Sequence, residues 1–126
     1  MWAGYISWAF HSSLGATYAI NGTNKWSGNS GWYLIETIES YNGQTNFNSG
    51  NFIWWFASNA FSGTNYNYSN TPVGGVSHLD EPGIGGVNDS SKYFGLWAGG
   101  KNFAICAWNS RNTPYFQAVG DPLVAR

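Results

Sequence analysis

Residues 30–44 read SGWYLIETIESYNGQ, and the fold is predicted outward from this stretch. After Gly31 come bulky and β-branched residues, which favour a pleated and largely buried strand. The pair Asn42-Gly43 then favours a turn with positive φ. We therefore predict a central strand that presents a loop at its C-terminal end.

The next apolar run, FIWWFA at residues 52–57, does not alternate and predicts a buried helix capped by Asn51. Residues 73–77 read VGGVS and predict a strand whose two glycines allow a neighbouring backbone to approach closely. If this strand runs parallel to the first, the loop after Ser40 lies at the carboxyl edge of an α/β sheet. Such folds bind their ligands at that edge.

The remaining segments complete one predicted α/β domain over residues 1–126. Polar residues at 88–91 are a predicted N-cap, and Gly99-Gly100 is a predicted C-cap. The predicted elements are a strand ending near residue 5, a short hairpin arm at 16–20, helices at 92–98 and 102–109, and a last strand from 115 that ends in a Gly-Asp-Pro turn.

Composition excludes several classes of protein. Only 9% of the residues are charged and 19% are aromatic, so the core must be built from rings and small residues. A net charge of -1 with five scattered Lys and Arg argues against a nucleic-acid partner. No apolar run approaches the roughly 20 residues that span a bilayer. The low charge with many Asn, Gly and Ser is typical of exported bacterial proteins, so we expect an exported or cell-surface location.

The single cysteine, Cys106, excludes an intrachain disulfide and a cysteine zinc site, and we expect it to be a buried thiol. Eight tryptophans raise the alternative of a sugar-stacking surface. We expect five of them to be core residues and two to lie in loops. The expected core indoles are those at 32, 54, 55, 97 and 108, and the loop candidates are Trp8 and Trp26.

The C-terminal succession resembles a known family. This part of the chain contains a small-residue strand, an acidic loop after Ser77, paired helices, an aromatic strand and VGDPLV at 119–124. That order is similar to the end of the catalytic domain of gingipain-like cysteine peptidases and their exported bacterial relatives. Residues 33–44 also look like the strand that carries the nucleophile in that family. The resemblance covers about the last three quarters of the chain. It implies a three-layer, mostly parallel, caspase-like fold, of which this chain is the C-terminal portion.

Carried over residue by residue, the resemblance implies that the catalytic pair is lost. The family's nucleophilic cysteine falls on Ser40, and its histidine falls on Tyr5. A serine hydroxyl is a weak nucleophile, and a tyrosine with a pKa near 10 is a poor base for it. We therefore expect a vestigial or non-catalytic peptidase module. An active hydrolase with a missing N-terminal part and a secreted glycan-binding module remain alternatives.

Two groups of side chains are candidate sites. Ser40 with His11 and either Glu36 or Glu39 is a conceivable hydrolytic set, although Glu36 lies about 13 Å back along the strand.

The second group is an expected ligand edge at the ends of the strands. It contains Asn42, Gly43, His78, Asp80 and Glu81, beside Tyr5. The acidic loop favours a basic group of a peptide or protein ligand, against the alternative that Asp80 and Glu81 only begin a solvated loop. Two carboxylates and one imidazole match no metal motif, and neither a metal nor a cofactor is predicted.

Overall fold

The computed structural model describes residues 4–7, 31–38, 40–44, 55–63 and 67–126. Within these ranges the chain forms four strands, two α-helices and two single-turn 3-10 helices. The strands are β1 (Gly4–Ser7), β2 (Leu34–Thr37), β3 (Gly74–His78) and β4 (Phe116–Gly120). The helices are α1 (Ser90–Ala98) and α2 (Phe103–Ser110), and the 3-10 turns are Ala60–Ser62 and Ile84–Gly86. Neither α1 nor α2 has the length and apolar character needed to cross a membrane.

The four strands form one sheet in the order β1-β2-β3-β4. β2 runs parallel to both of its neighbours, and Glu36 pairs with Val76 of β3. β4 runs antiparallel to β3 along the outer edge. The predicted mixed α/β content and mostly parallel sheet are therefore confirmed.

Both helices begin as predicted, because each has a polar N-cap. Asp89 Oδ1 accepts the N–H of Lys92 at 2.9 Å, and Asn102 Oδ1 accepts the N–H of Ile105 at 3.0 Å. At the end of α1, Gly100 adopts a positive φ of 81°, a conformation that glycine reaches without steric cost. These local signals fix where the helices start and stop.

The core divides between the two faces of the sheet, because side chains of β2 alternate. Leu34 points to the face covered by α1 and α2, and Ile35 points to the opposite face. The helix-side cluster contains Leu34, Val76, Tyr93, Trp97, Phe103, Cys106 and Ala107. The opposite cluster contains Tyr33, Ile35, Trp55, Ala60 and Phe61.

Residues 52–54 of the helix predicted at 52–57 lie outside the described residues, as does the hairpin arm at 16–20. Trp55 is helical, and residues 56–59 form turns that lead into the 3-10 turn Ala60–Ser62. Trp55 is fully buried there and packs in the same cluster as Phe61.

Two of the expected core indoles are exposed, which corrects the sequence prediction. Trp32 is 61% exposed and Trp108 is 64% exposed, whereas Trp55 and Trp97 are buried. Trp32 lies two residues before the first residue of β2. Trp108 lies on the outer face of α2, whose inner face carries Phe103 and other buried residues. Arg111 stacks over the Trp108 ring at 3.9 Å, so this indole packs against a surface cation.

The glycines of β3 were expected to admit a neighbouring backbone, and at Gly74 the neighbour is instead an aromatic side chain. A Cβ there would lie 2.7 Å from the Phe103 ring. Gly74 pairs with Gly120 of β4, where a Cβ would lie 2.6 Å from the Gly74 Cα atom. The absence of both side chains lets β4 and α2 pack directly on β3.

We expect Gly74→Ala to destabilise the protein by about 1–3 kcal/mol, because the added methyl group overpacks the contact with Phe103. Gly95→Ala is the matched control, since Gly95 is exposed in α1 with no atom near its would-be Cβ. It should stabilise by about 0.5–1 kcal/mol through helix propensity. Urea unfolding measures both changes. Equal effects of the two substitutions would contradict the packing described here.

Candidate functional site

The loops that follow β2 and β3 meet at the carboxyl edge of the sheet. The N–H of Gly43 donates to the carbonyl of His78 at 2.8 Å, and Gln44 Nε2 donates to the carbonyl of Leu79 at 2.8 Å. A Cβ on Gly43 would lie 2.9 Å from the His78 carbonyl oxygen. The two loops are therefore joined backbone to backbone, and the stretches around residues 40 and 78 lie side by side.

The turn at residues 41–44, in the loop after β2, differs from the prediction in one respect. The positive φ falls on Tyr41, at 62°, and not on Asn42 or Gly43. The carbonyl of Tyr41 accepts the N–H of Gln44 at 3.1 Å, which closes the turn. Glycine is needed at 43 for the close approach to His78, and a non-glycine residue takes the left-handed conformation at a cost of roughly 1–2 kcal/mol.

Glu81 holds an exposed negative charge at this edge. The Ser40 hydroxyl donates to Glu81 Oε2, and the N–H of Gly83 donates to Glu81 Oε1 at 3.0 Å. The bond from Ser40, followed by that from Gly83, lowers the pKa of the Glu81 carboxyl. Glu81 is therefore ionised throughout the neutral range.

Asp80 supplies the second carboxylate. Its Oδ1 accepts the N–H of Glu81 at 2.8 Å. A hydrogen bond to Asp80 raises the pKa of the Tyr41 hydroxyl, helped by the charges of Asp80 and Glu81, so Tyr41 keeps its proton. Hydroxyl and amide groups thus orient both carboxylates, and neither forms an ion pair among the described residues.

The other candidates at the edge are buried beneath it. The side chain of His78 is 0% exposed and that of Asn42 is 1% exposed, and Gly43 is also buried. These residues support the edge through backbone contacts. Ser40, Tyr41, Asp80 and Glu81 are the members that reach its surface.

A cleft of about 430 Å³ is lined by residues 111–114. The next residue, Tyr115, accepts the N–H of Leu79 through its carbonyl at 2.7 Å. The segment that lines the cleft is therefore tied directly to the loop that carries Asp80 and Glu81.

Of the conceivable hydrolytic set, the structure describes only Ser40 and Glu36. His11 and Glu39 lie outside the described residues, and of Tyr5 only the backbone in β1 is described, paired with Ile35. The Ser40 hydroxyl is bonded to a carboxylate whose lowered pKa makes it a weak base. That contact does not activate Ser40 as a nucleophile.

Glu36 is a fully buried acid, which the sequence reasoning placed only in the hydrolytic set. It is 0% exposed, and burial raises the pKa of its carboxyl to about 7. The charge of Asp89 adds to this increase, while Ser90 and Asn88 lie close enough to oppose it. Neither oxygen of Glu36 has a hydrogen-bond partner of normal geometry among the described residues. The sequence signal for the burial of Glu36 is its position in the largely apolar run LIETI at residues 34–38.

No group of three or more His, Cys, Asp or Glu side chains in the described ranges is arranged to hold a metal ion. Comparisons with protein-family models, with curated proteins and with solved structures find no match to this chain. The geometry of the edge is therefore the basis for assigning a function.

We expect Ser40→Ala to raise the pKa of Glu81, because the carboxylate loses the hydroxyl that contributes most to lowering it. Carbon-detected NMR titration of the glutamate carboxyl groups measures the change. Ser91→Ala, at an exposed position of α1, is the control and should leave Glu81 unchanged. An unchanged Glu81 pKa in Ser40→Ala would contradict the hydrogen bond.

Proposed function

We propose that the chain is a non-catalytic, gingipain-like peptidase module of an exported bacterial protein. In this proposal it binds a basic group of a peptide or protein at the carboxyl edge of its parallel strands. The proposal includes a caspase-like arrangement of three layers. The two parallel pairings, the antiparallel β4 and the apolar clusters on both faces of the sheet support that arrangement.

The observation that carries the proposal is the pair Asp80 and Glu81 at the meeting point of two loops. Both carboxylates are oriented by neutral donors, and Glu81 is ionised and exposed. The described residues of this edge carry no Lys or Arg, and a ligand guanidinium or ammonium group would supply a positive charge there. Guanidinium matches carboxylates with paired N–H donors. The adjoining cleft at residues 111–114 offers space for further ligand atoms.

The same geometry favours binding over catalysis. Ser40 donates a hydrogen bond to a weakly basic carboxylate, and the imidazole of His78 is buried. The hydroxyl therefore serves to orient Glu81. Since exposed ion pairs contribute only about 0.2–1 kcal/mol each, we expect a short ligand to bind weakly, with a Kd of roughly 1 mM or higher.

The experiment is an NMR titration of the protein with acetyl-arginine amide, with acetyl-citrulline amide as the neutral ligand of the same shape. We expect arginine to bind at least five-fold more tightly than citrulline, with shifts in the amides of residues 40–44 and 79–83. The double variant Asp80→Asn/Glu81→Gln should lose this preference. Equal binding of the two ligands, or an unchanged preference in the double variant, would refute a basic ligand at this edge.

A hydrolase assay separates the binding module from a working enzyme. We expect no turnover of reporter substrates with arginine or lysine before the scissile bond. Turnover that disappears in Ser40→Ala would show instead that the alternative of an active hydrolase is right.

The glycan-binding alternative has one observation in its favour, which is the exposure of Trp32 and Trp108. Helices α1 and α2 argue against its β-sandwich form. Arg111 already covers part of the Trp108 ring, which leaves Trp32 as the more open stacking surface. Quenching of tryptophan fluorescence by oligosaccharides, lost in Trp32→Ala, would favour this alternative.

A further inference from the structure

Two buried polar side chains meet where β2 packs against the start of α1. Glu36 lies on the helix-side face of β2, two residues after Leu34, and is fully buried. Asn88, just before α1, is 4% exposed. Neither the carboxylate oxygens of Glu36 nor the amide atoms of Asn88 have a hydrogen-bond partner among the described residues. Unpaired polar groups in a protein interior are rare and destabilising.

Burial outweighs the two groups that favour an ionised Glu36, which are the side chains of Ser90 and Asn88. Asp89, the N-cap of α1, brings a second carboxylate that disfavours ionisation of Glu36. Tyr93, one turn into α1, is buried, and burial together with the charge of Glu36 raises the pKa of its hydroxyl. The titratable side chains near Glu36 in the described residues are Asp89 at the N-cap of α1, Tyr93 of α1, Cys106 of α2 and His78 of β3, while Lys92 of α1 is exposed.

The protonated form of Glu36 suits these surroundings. A neutral carboxyl has one O–H donor and keeps acceptor capacity, and the Asn88 amide has both a donor and an acceptor. The Asn88 N–H group can donate to Glu36 in either form, whereas the Asn88 oxygen can accept only from the protonated carboxyl. When that proton leaves to water, a charged carboxylate remains beside Asp89 in the interior.

We propose that Glu36 is a proton-operated latch between strand β2 and the start of helix α1. Protonated, it can both donate to and accept from Asn88, and as a neutral group it holds the first turn of α1 against the sheet. Ionised, it is repelled by Asp89 and admits water to this join, which loosens that turn. The latch does not depend on the ligand proposed for the carboxyl edge.

A bound cation is the competing way to neutralise Glu36. The positive end of the α1 dipole disfavours a cation at this place, and Asp89 is already engaged with the N–H of Lys92. Proton binding is therefore the better supported of the two, and the experiment distinguishes them.

The test compares urea unfolding of the wild type and Glu36→Gln from pH 4 to pH 8.5. The pKa of Glu36 is higher in the folded chain, so its contribution to stability is complete below pH 4.5 and is lost as the pH rises through about 7. The quantity compared is the folding constant of the wild type divided by that of Glu36→Gln. A rise in the pKa of Glu36 from 4.5 to about 7 makes this quotient up to roughly 300-fold larger at pH 4 than at pH 8.5. Dividing the two folding constants at each pH removes the contribution of the titratable groups that both proteins contain. A ratio that does not vary with pH would overturn the proposal.

Asp89→Asn is the second variant, because asparagine is an equally good N-cap but carries no charge. It should move the midpoint of the Glu36 titration to lower pH. Carbon-detected NMR of the wild type locates that midpoint directly, even if Glu36→Gln fails to fold. A midpoint near the ordinary value for glutamate would refute the latch.

Hydrogen exchange tests the loosening itself. We expect the amides at residues 91–93 to exchange at least ten-fold faster in the wild type than in Glu36→Gln at pH 8, and at equal rates at pH 5. Equal exchange at both pH values would refute the conformational part. If millimolar Ca²⁺ or Na⁺ at pH 8 stabilises the wild type but not Glu36→Gln, the site binds a cation and the proton latch is wrong.

Discussion

The parallel pairing of β2 with β3 is the constraint on which the rest of the structure depends. It places residues 34–36 beside residues 74–76, so both strands end at the same edge of the sheet. The loop after β2 can then bond to the last carbonyl of β3, as Gly43 does with His78. With the opposite strand direction, Ser40 and Glu81 would lie at different ends of the molecule. The acidic edge is thus a product of strand direction.

Close packing around β3 depends on residues without side chains. Gly74 makes room for the Phe103 ring, and its partner Gly120 brings β4 against it. The same strand carries Val76 into the helix-side cluster and ends at the buried His78. Small residues at the amino end of β3 therefore bring the helices close, while polar residues at its carboxyl end adjoin the candidate site.

The sequence predicts the features whose causes are local. The caps Asp89 and Asn102 start the two helices where expected, and the apolar run at residues 33–35 marks the central strand. The meeting of Ser40 with Glu81 was also predictable, because it requires only that two strands be parallel.

What the sequence did not predict depends on contacts between distant segments. Trp32 is exposed because it lies before β2, and Trp108 is exposed because it lies on the outer face of α2; neither position can be recognised from the local sequence. The left-handed conformation at Tyr41 follows from the approach of Gly43 to β3. The raised pKa of Glu36 comes first from its burial, and Asp89, which lies more than fifty residues away along the chain, adds to it.

The burial of Cys106 has a practical consequence. It is the chain's single thiol, it lies in the cluster between the helices and the sheet, and burial raises its pKa. Thiolate is the reactive form toward alkylating reagents, so the folded protein shields this atom both sterically and chemically. The rate of labelling at Cys106 thus reports how often α2 separates from the sheet, and the native molecule carries its own probe of breathing motions without an engineered tag.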